Sequence, residues 1–301
     1  MKLGPFSMRV ILRMLAKEEK KRHVHWPDAS QYQSLLDYEV VKDGAFEQKI
    51  DIYYAKKDSN RKNQVVIDIH GGAYLFGNRK HNFWYASFFL EKGYDVVLMD
   101  YRPNGHGRGC LDQVHDLAAE LCYLNKHAEE LGLNKDAFFL TGDSAGGHYS
   151  LLMAEASCDI VLQQQLGIDL GGIAFRGVAV CCPVYDFVRC VNTERLSNRG
   201  KKFMYGPQYK DEAYVKLLSP KEHLSSLKIP LFLTSCHNDF IKEESLDLHK
   251  DALESGHDIT YLFIENQDSA VGHVHNVIDL NHPESKTVNE AIASFFARCA
   301  H

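Results

Sequence analysis

The chain has 301 residues, with 34 Lys and Arg against 40 Asp and Glu, a formal net charge of −6. That balance argues against a nucleic-acid binder, which presents a basic face. A content of 45% hydrophobic and 11% aromatic residues is too apolar for a disordered chain. At this length about three quarters of the unfolded surface can be buried, enough for one large α/β domain or one domain with a small cap.

From the N-terminus, residues 8–21 predict a basic amphipathic helix with Val10, Ile11, Met14 and Leu15 on one side. Arg9 and Arg13 interrupt the apolar stretch, and no small-residue cleavage site precedes the charged run 17–22, so neither a membrane span nor a secretory leader is expected. A contact with a cap is the commoner use of such a helix than a place on a membrane. The eight cysteines, Cys110, Cys122, Cys158, Cys181, Cys182, Cys190, Cys236 and Cys299, form no CxxC pair. They read as buried free thiols in a reducing cytoplasm.

Residues 49–54 alternate and predict an antiparallel edge strand. The runs 65–69 (VVIDI), 95–99 (DVVLM), 137–140 (AFFL), 177–182 (GVAVCC), 230–234 (PLFLT) and 259–264 (ITYLFI) are apolar on both faces, as strands buried in a parallel sheet are. Helical patterns over 81–92, 111–131, 145–157, 242–255 and 286–298 alternate with them. A mostly parallel sheet flanked by helices follows. Residues 183–226 form a long insertion rich in aromatics and bases, including Tyr185, Phe187, Arg189, Phe203 and Tyr205. Such an excursion inside a compact domain is usually functional. The insertion and residues 1–45 are the expected cap over a domain spanning 46–301.

The most specific motif is Gly142-Asp143-Ser144-Ala145-Gly146, a GxSxG directly after the AFFL strand and directly before a helical pattern. In that context the tight turn exposes Ser144 as a nucleophile, where a bare GxSxG would only be a serine N-cap beside a glycine turn. A serine hydroxyl is a weak nucleophile and needs a base and an oxyanion site. His70-Gly71-Gly72-Ala73-Tyr74 follows the VVIDI strand. Its glycines allow backbone amides to turn toward a substrate, so Gly71 and Gly72, with the amide of Ala145, are the expected oxyanion donors. His70 and His148 are read as packing or orienting residues, and Asp143 as a local hydrogen-bonding residue. The carboxyl ends of parallel strands converge on one edge. Asp239, after PLFLT, is the candidate acid, and His273, in the loop after ITYLFI, the candidate base. Their simpler uses would be a helix N-cap and a surface histidine. The order Ser144, Asp239, His273 is that of α/β-hydrolases.

HGGAY followed by GDSAGG resembles the α/β-hydrolase carboxylesterases and lipases of the hormone-sensitive-lipase-like and related acyl-esterase groups, over roughly residues 46–300. Asp100-Tyr101-Arg102 and the place of Asp239 agree with that resemblance. Two departures stand out. Gly272-His273-Val274-His275 carries a histidine where the family often has an aromatic, which makes His275 an alternative base. Residues 104–109 replace a segment that is often proline-rich.

The function that follows is hydrolysis of carboxylic esters of small or medium acyl groups, with a small-molecule partner and no cofactor. An amide hydrolase of arylformamidase-like or exopeptidase-like kind uses the same machinery and stays open, as does a ligand-binding protein that keeps only the fold. Sixteen histidines, including His23 and His25, raise a metal reading, but no HExxH or zinc-type spacing is present. Residues 105–109 are not a dinucleotide fingerprint, since they open no helix after a strand.

Overall fold

Eight strands lie in one sheet: Gln33–Lys42 (β1), Glu47–Tyr54 (β2), Val65–Ile69 (β3), Asp95–Met99 (β4), Phe138–Asp143 (β5), Phe175–Cys181 (β6), Leu231–Cys236 (β7) and Ile259–Ile264 (β8). Their spatial order is β1-β2-β4-β3-β5-β6-β7-β8. This is a computed structural model, and it describes residues 2–22, 26–42, 47–56, 61–105 and 107–300. His23, His25, His106 and the expected boundary at residues 45 and 46 lie outside the described residues.

The helices are Pro5–Arg22 (α1), Phe83–Glu91 (α2), Cys110–His127 (α3), Ala145–Cys158 (α4), Ile160–Leu166 (α5), Phe187–Asn192 (α6), Asn198–Tyr205 (α7), Glu212–Leu217 (α8), Pro220–His223 (α9), Lys242–Glu254 (α10), His275–Ile278 (α11) and Pro283–Cys299 (α12). Successive strand residues point to opposite faces, so an apolar run needs cover on both. Ile67, Leu140 and Val178 pack with Leu117, Leu121 and Met153 of α3 and α4. Val66, Phe139 and Phe232 pack with Phe89 of α2 and Ile292 and Phe296 of α12 on the other side.

β1 pairs with β2 and β2 with β4 antiparallel, and β4-β3-β5-β6-β7-β8 run parallel. The parallel register pairs Ile69 with Gly142, Asp143 with Cys181, Cys181 with Thr234, and Cys236 with Ile264. The loops that leave these strands therefore start level with one another along one edge of the sheet.

Three expectations need correction. The strand at 47–54 is antiparallel but not at the edge, because β1 lies outside it within the segment expected to be cap. β1 carries register shifts between Leu35 and Tyr38 and between Glu39 and Val41, which break the two-residue period that marks a strand. The face of α1 expected to touch a cap is turned outward: Val10, Ile11 and Met14 are exposed, while Met8 is buried and Leu3 and Leu12 pack against the core. The rotation is set by a parallel bridge between Leu3 and Leu196 and by the Arg9 guanidinium 5.2 Å over the Phe203 ring. The side chain of Leu15 lies outside the description. The third is α5, which the sequence pattern did not show; Asp159 caps it by accepting from the amides of Val161 and Leu162. No helix among the described residues is long and apolar enough to cross a membrane.

Candidate active site

Ser144 stands between β5 and α4 at φ 52°, ψ −115°, a backbone conformation that L-residues avoid outside special sites. Two contacts enforce the bend. The Ser144 amide continues the sheet to Cys181 O at 2.9 Å, and a Cβ on Gly146 would sit 1.9 Å from Ile69 O, so only glycine lets α4 leave so close to β3. The Ser144 hydroxyl makes no cap bond to α4. Instead Oγ lies 2.9 Å from His273 Nε2, and His273 Nδ1 lies 2.7 Å from Asp239 Oδ1. A carboxylate only accepts, so Nδ1 carries the proton and Nε2 is left to accept from the hydroxyl.

Asp239 is buried at the turn after β7. It also accepts from the Ile241 amide at 3.0 Å and the Ser235 hydroxyl at 2.9 Å. Burial alone raises such a carboxyl, but the bond and charge of His273, the Ile241 amide and the Ser235 hydroxyl outweigh it and hold Asp239 below the ordinary carboxylate range. A bridge between Asn238 and Gly272 ties the loop after β7 to the loop after β8. His273 is then fixed by its neighbour: Val274 has φ 53°, rare for a β-branched residue, and its amide donates to Cys182 Sγ at 3.4 Å. His275 goes elsewhere. It is buried, its Nδ1 lies 3.1 Å from Ser285 Oγ of α12, and desolvation pushes its pKa down to about 4.

The loop after β3 differs from expectation at one residue. The Gly71 amide donates to Asp143 Oδ1 at 2.8 Å, so its single proton is engaged and Gly71 is not an oxyanion donor. Asn82 Nδ2 donates to the same oxygen at 2.8 Å. Gly72, at φ 132°, and Ala73, at φ 52°, both line the pocket at Ser144. Ala145 is the first residue of α4 and carries an N–H that the helix does not use. His70 is buried, stacked 4.3 Å from the Tyr101 ring. Asp143, read as a local residue, spans two loops; the signal available was only its place before the nucleophile.

A cavity of about 330 Å³ opens at Ser144 and His273. Its apolar walls are Trp26, Phe76, Trp84, Phe240, Val277 and Ile278, with Asn82 and His81 among the polar lining and no Lys or Arg among the described residues. No residue of the 183–226 insertion, expected as part of the cap, lines it. A second groove of about 420 Å³ beside His115 and Tyr123 shares no residue with the site. Among the described residues, Cys182, Asp239 and His273 bring potential metal-ligand atoms within 4.8 Å of one another. The His273 and Asp239 atoms already bond each other, and burial pushes the Cys182 thiol well up, so these groups are poorly disposed to take a metal.

Sheet order, elbow and the Ser–His–Asp constellation define the α/β-hydrolase class. The chain belongs to the BD-FAE family, whose model matches residues 50–251. A Mycobacterium tuberculosis protein named Probable carboxylic ester hydrolase LipM is 27% identical over 185 residues, 58% of this chain and 41% of that one. Esterase LipQ of the same organism is 26% identical over 184 residues, 60% of this chain and 42% of its own. The match thus spans less than half of either relative. Over whole chains, the structure of Esterase B from Lactobacillus rhamnosis inhibited by a C4-C4 SN3 tributyrin phosphonate superposes with a TM-score of 0.87 at 25% identity, covering 99% of this chain and 97% of that one.

Proposed function

We propose that the protein is a serine hydrolase that cleaves carboxylic esters of small or medium acyl groups through an acyl-enzyme. The observation that carries this reading is His273 bonded at once to Ser144 and to Asp239. His273 Nε2 takes the Ser144 proton as Oγ attacks the ester carbonyl, and Asp239 holds the imidazole tautomer and the imidazolium that forms. The carbonyl oxygen then becomes an oxyanion facing the amides of Gly72, Ala73 and Ala145. The imidazolium gives its proton to the leaving alkoxide, and a water, deprotonated by the same histidine, releases the acid.

The lining supports an uncharged substrate. Its described walls are aromatic and aliphatic, and with no Lys or Arg among the described residues of the lining they offer no counter-charge to an anionic ester. Esterase B takes a phosphonate built on four-carbon chains, which supports short acyl groups here. In this reading Trp26, beyond α1, is what the N-terminal segment contributes to the cover of the site. The eight free cysteines fit a reducing cytoplasm, and the partner is a small-molecule ester, not a nucleic acid.

The test is an acyl-length series of chromogenic esters run beside a matched amide, with an organophosphonate as label. One adduct at Ser144 and ester turnover well above amide turnover are expected. Full esterase activity in Ser144→Ala would overturn the mechanism, and faster amide cleavage would make the protein an amidase.

A further inference from the structure

The insertion touches the site from behind. Tyr74, directly after Ala73, has φ 65°, so Gly72, Ala73 and Tyr74 are three successive residues on the positive side of φ, and two of them are not glycine. Each non-glycine residue held there is strained by roughly 1 to 3 kcal/mol and persists only where surroundings over-determine it. Two of the four rings packed on Tyr74 come from the insertion and two from α4. The Tyr74 ring lies edge-on to Phe187 and Tyr205, each at 5.9 Å, and to His148 and Tyr149 of α4, each at 5.7 Å. Its hydroxyl lies 3.0 Å from His148 Nδ1, and His148 Nε2 lies 2.6 Å from Leu218 O, beyond α8 in the insertion. A carbonyl only accepts, so Nε2 carries the proton and Nδ1 accepts from the Tyr74 hydroxyl. His148 is itself stacked 4.9 Å from Phe187. On the main-chain side, Tyr74 O accepts from the Asn104 amide and from Gln113 Nε2.

We infer that the insertion is a brace that holds Tyr74, and through it the amides of Gly72 and Ala73, in the geometry that receives the oxyanion, with Phe187, Tyr205 and His148 as positioning residues. This rests on the proposed ester hydrolysis. A brace of this kind acts on every substrate alike, because the carbonyl oxygen is common to all of them, whereas a pocket wall acts on acyl length. Displacement of aligned groups by about an ångström costs up to about 100-fold in rate.

The experiment is active-site titration with a chromogenic organophosphonate, followed by kcat and KM per titrated Ser144 on acetyl, butyryl and hexanoyl esters, for the parent and for Phe187→Leu, Tyr74→Phe, His148→Ala and His148→Gln. In Phe187→Leu, Tyr74→Phe and His148→Ala, kcat per titrated site falls about 10- to 100-fold with KM and acyl preference unchanged. The Gln amide offers an N–H donor for Leu218 O and an oxygen acceptor for the Tyr74 hydroxyl, so His148→Gln stays within about tenfold of the parent. Parent-like kcat per titrated site in Tyr74→Phe and Phe187→Leu would overturn the brace, since a purely structural role lowers only the fraction of sites titrated. A changed acyl preference would overturn it too. A parent that neither titrates nor turns over would instead sink the hydrolase reading.

Discussion

The amide of Gly71 and the carboxylate of Asp143 meet at 2.8 Å, so the loop after β3 is tied to the residue before the nucleophile. One oxygen of Asp143 serves both Gly71 and Asn82, and it sets how close Gly72 and Ala73 come to Ser144. Asp143→Asn keeps an acceptor oxygen and is expected within about tenfold of the parent kcat. Asp143→Ala is expected to lose about 10²- to 10³-fold, the scale of a missing oxyanion donor. Steady-state kinetics on folded, phosphonate-titrated protein checks this; an Ala variant at the parent rate would show that the loop holds itself.

Removal of the nucleophile tests the chemistry itself. Ser144→Ala is expected to lose about 10⁴- to 10⁶-fold in kcat and to take no phosphonate, as read by intact mass.

The two histidines separate by environment. His273→Ala is expected to remove nearly all activity and Ser144 labelling. His275→Phe is expected to label and turn over near the parent rate, because His275 bonds Ser285 and not Ser144. The reverse pattern would move the base to His275.

His275 also carries a stability signature. Its folded pKa of about 4 lies below the unfolded value near 6.5, so the unfolded chain binds more protons between those values. The stability it contributes is present above about pH 6.5 and declines as the pH falls toward 4, by on the order of 2 kcal/mol. Buried Asp68, Glu120 and Glu155, pushed up by desolvation, act in the opposite direction, so the comparison is made between variant and parent. Urea midpoints at pH 8 and pH 5 should differ less in His275→Phe than in the parent; equal differences would mean that His275 is not desolvated.

Acyl length is expected to be read by the walls that line the cavity. Trp26→Ala or Trp84→Ala should shift the preference between acetyl and longer esters by about 10- to 200-fold. Phe203→Ala should leave it unchanged, because that ring sits under Arg9 and outside the cavity. An unchanged preference in both tryptophan variants would place selection elsewhere.

The strands buried on both faces were legible because VVIDI, DVVLM and GVAVCC have no polar alternation to satisfy, and the elbow was legible because GDSAG sits between a strand and a helix. The partner of the Gly71 amide was not. Whether Gly71 points its amide at substrate or at Asp143 depends on the dihedral angles of the next three residues and on a carboxylate 72 positions away. β1 was hidden by its register shifts. The aromatic wealth of the insertion suggested a cap over the site, yet Phe187 and Tyr205 close on Tyr74 and Phe203 on α1, a distinction that composition does not encode.

The order of the strands also bears on how the molecule acquires its reactivity. Ser144 and His273 are 129 residues apart, and the loop holding His273 follows β8, the last strand and one border of the sheet. Contacts of such long sequence separation form slowly, after local helices. A refolding chain should therefore regain far-ultraviolet ellipticity before it regains phosphonate reactivity, and Ser144 should remain inert until β8 has docked on β7.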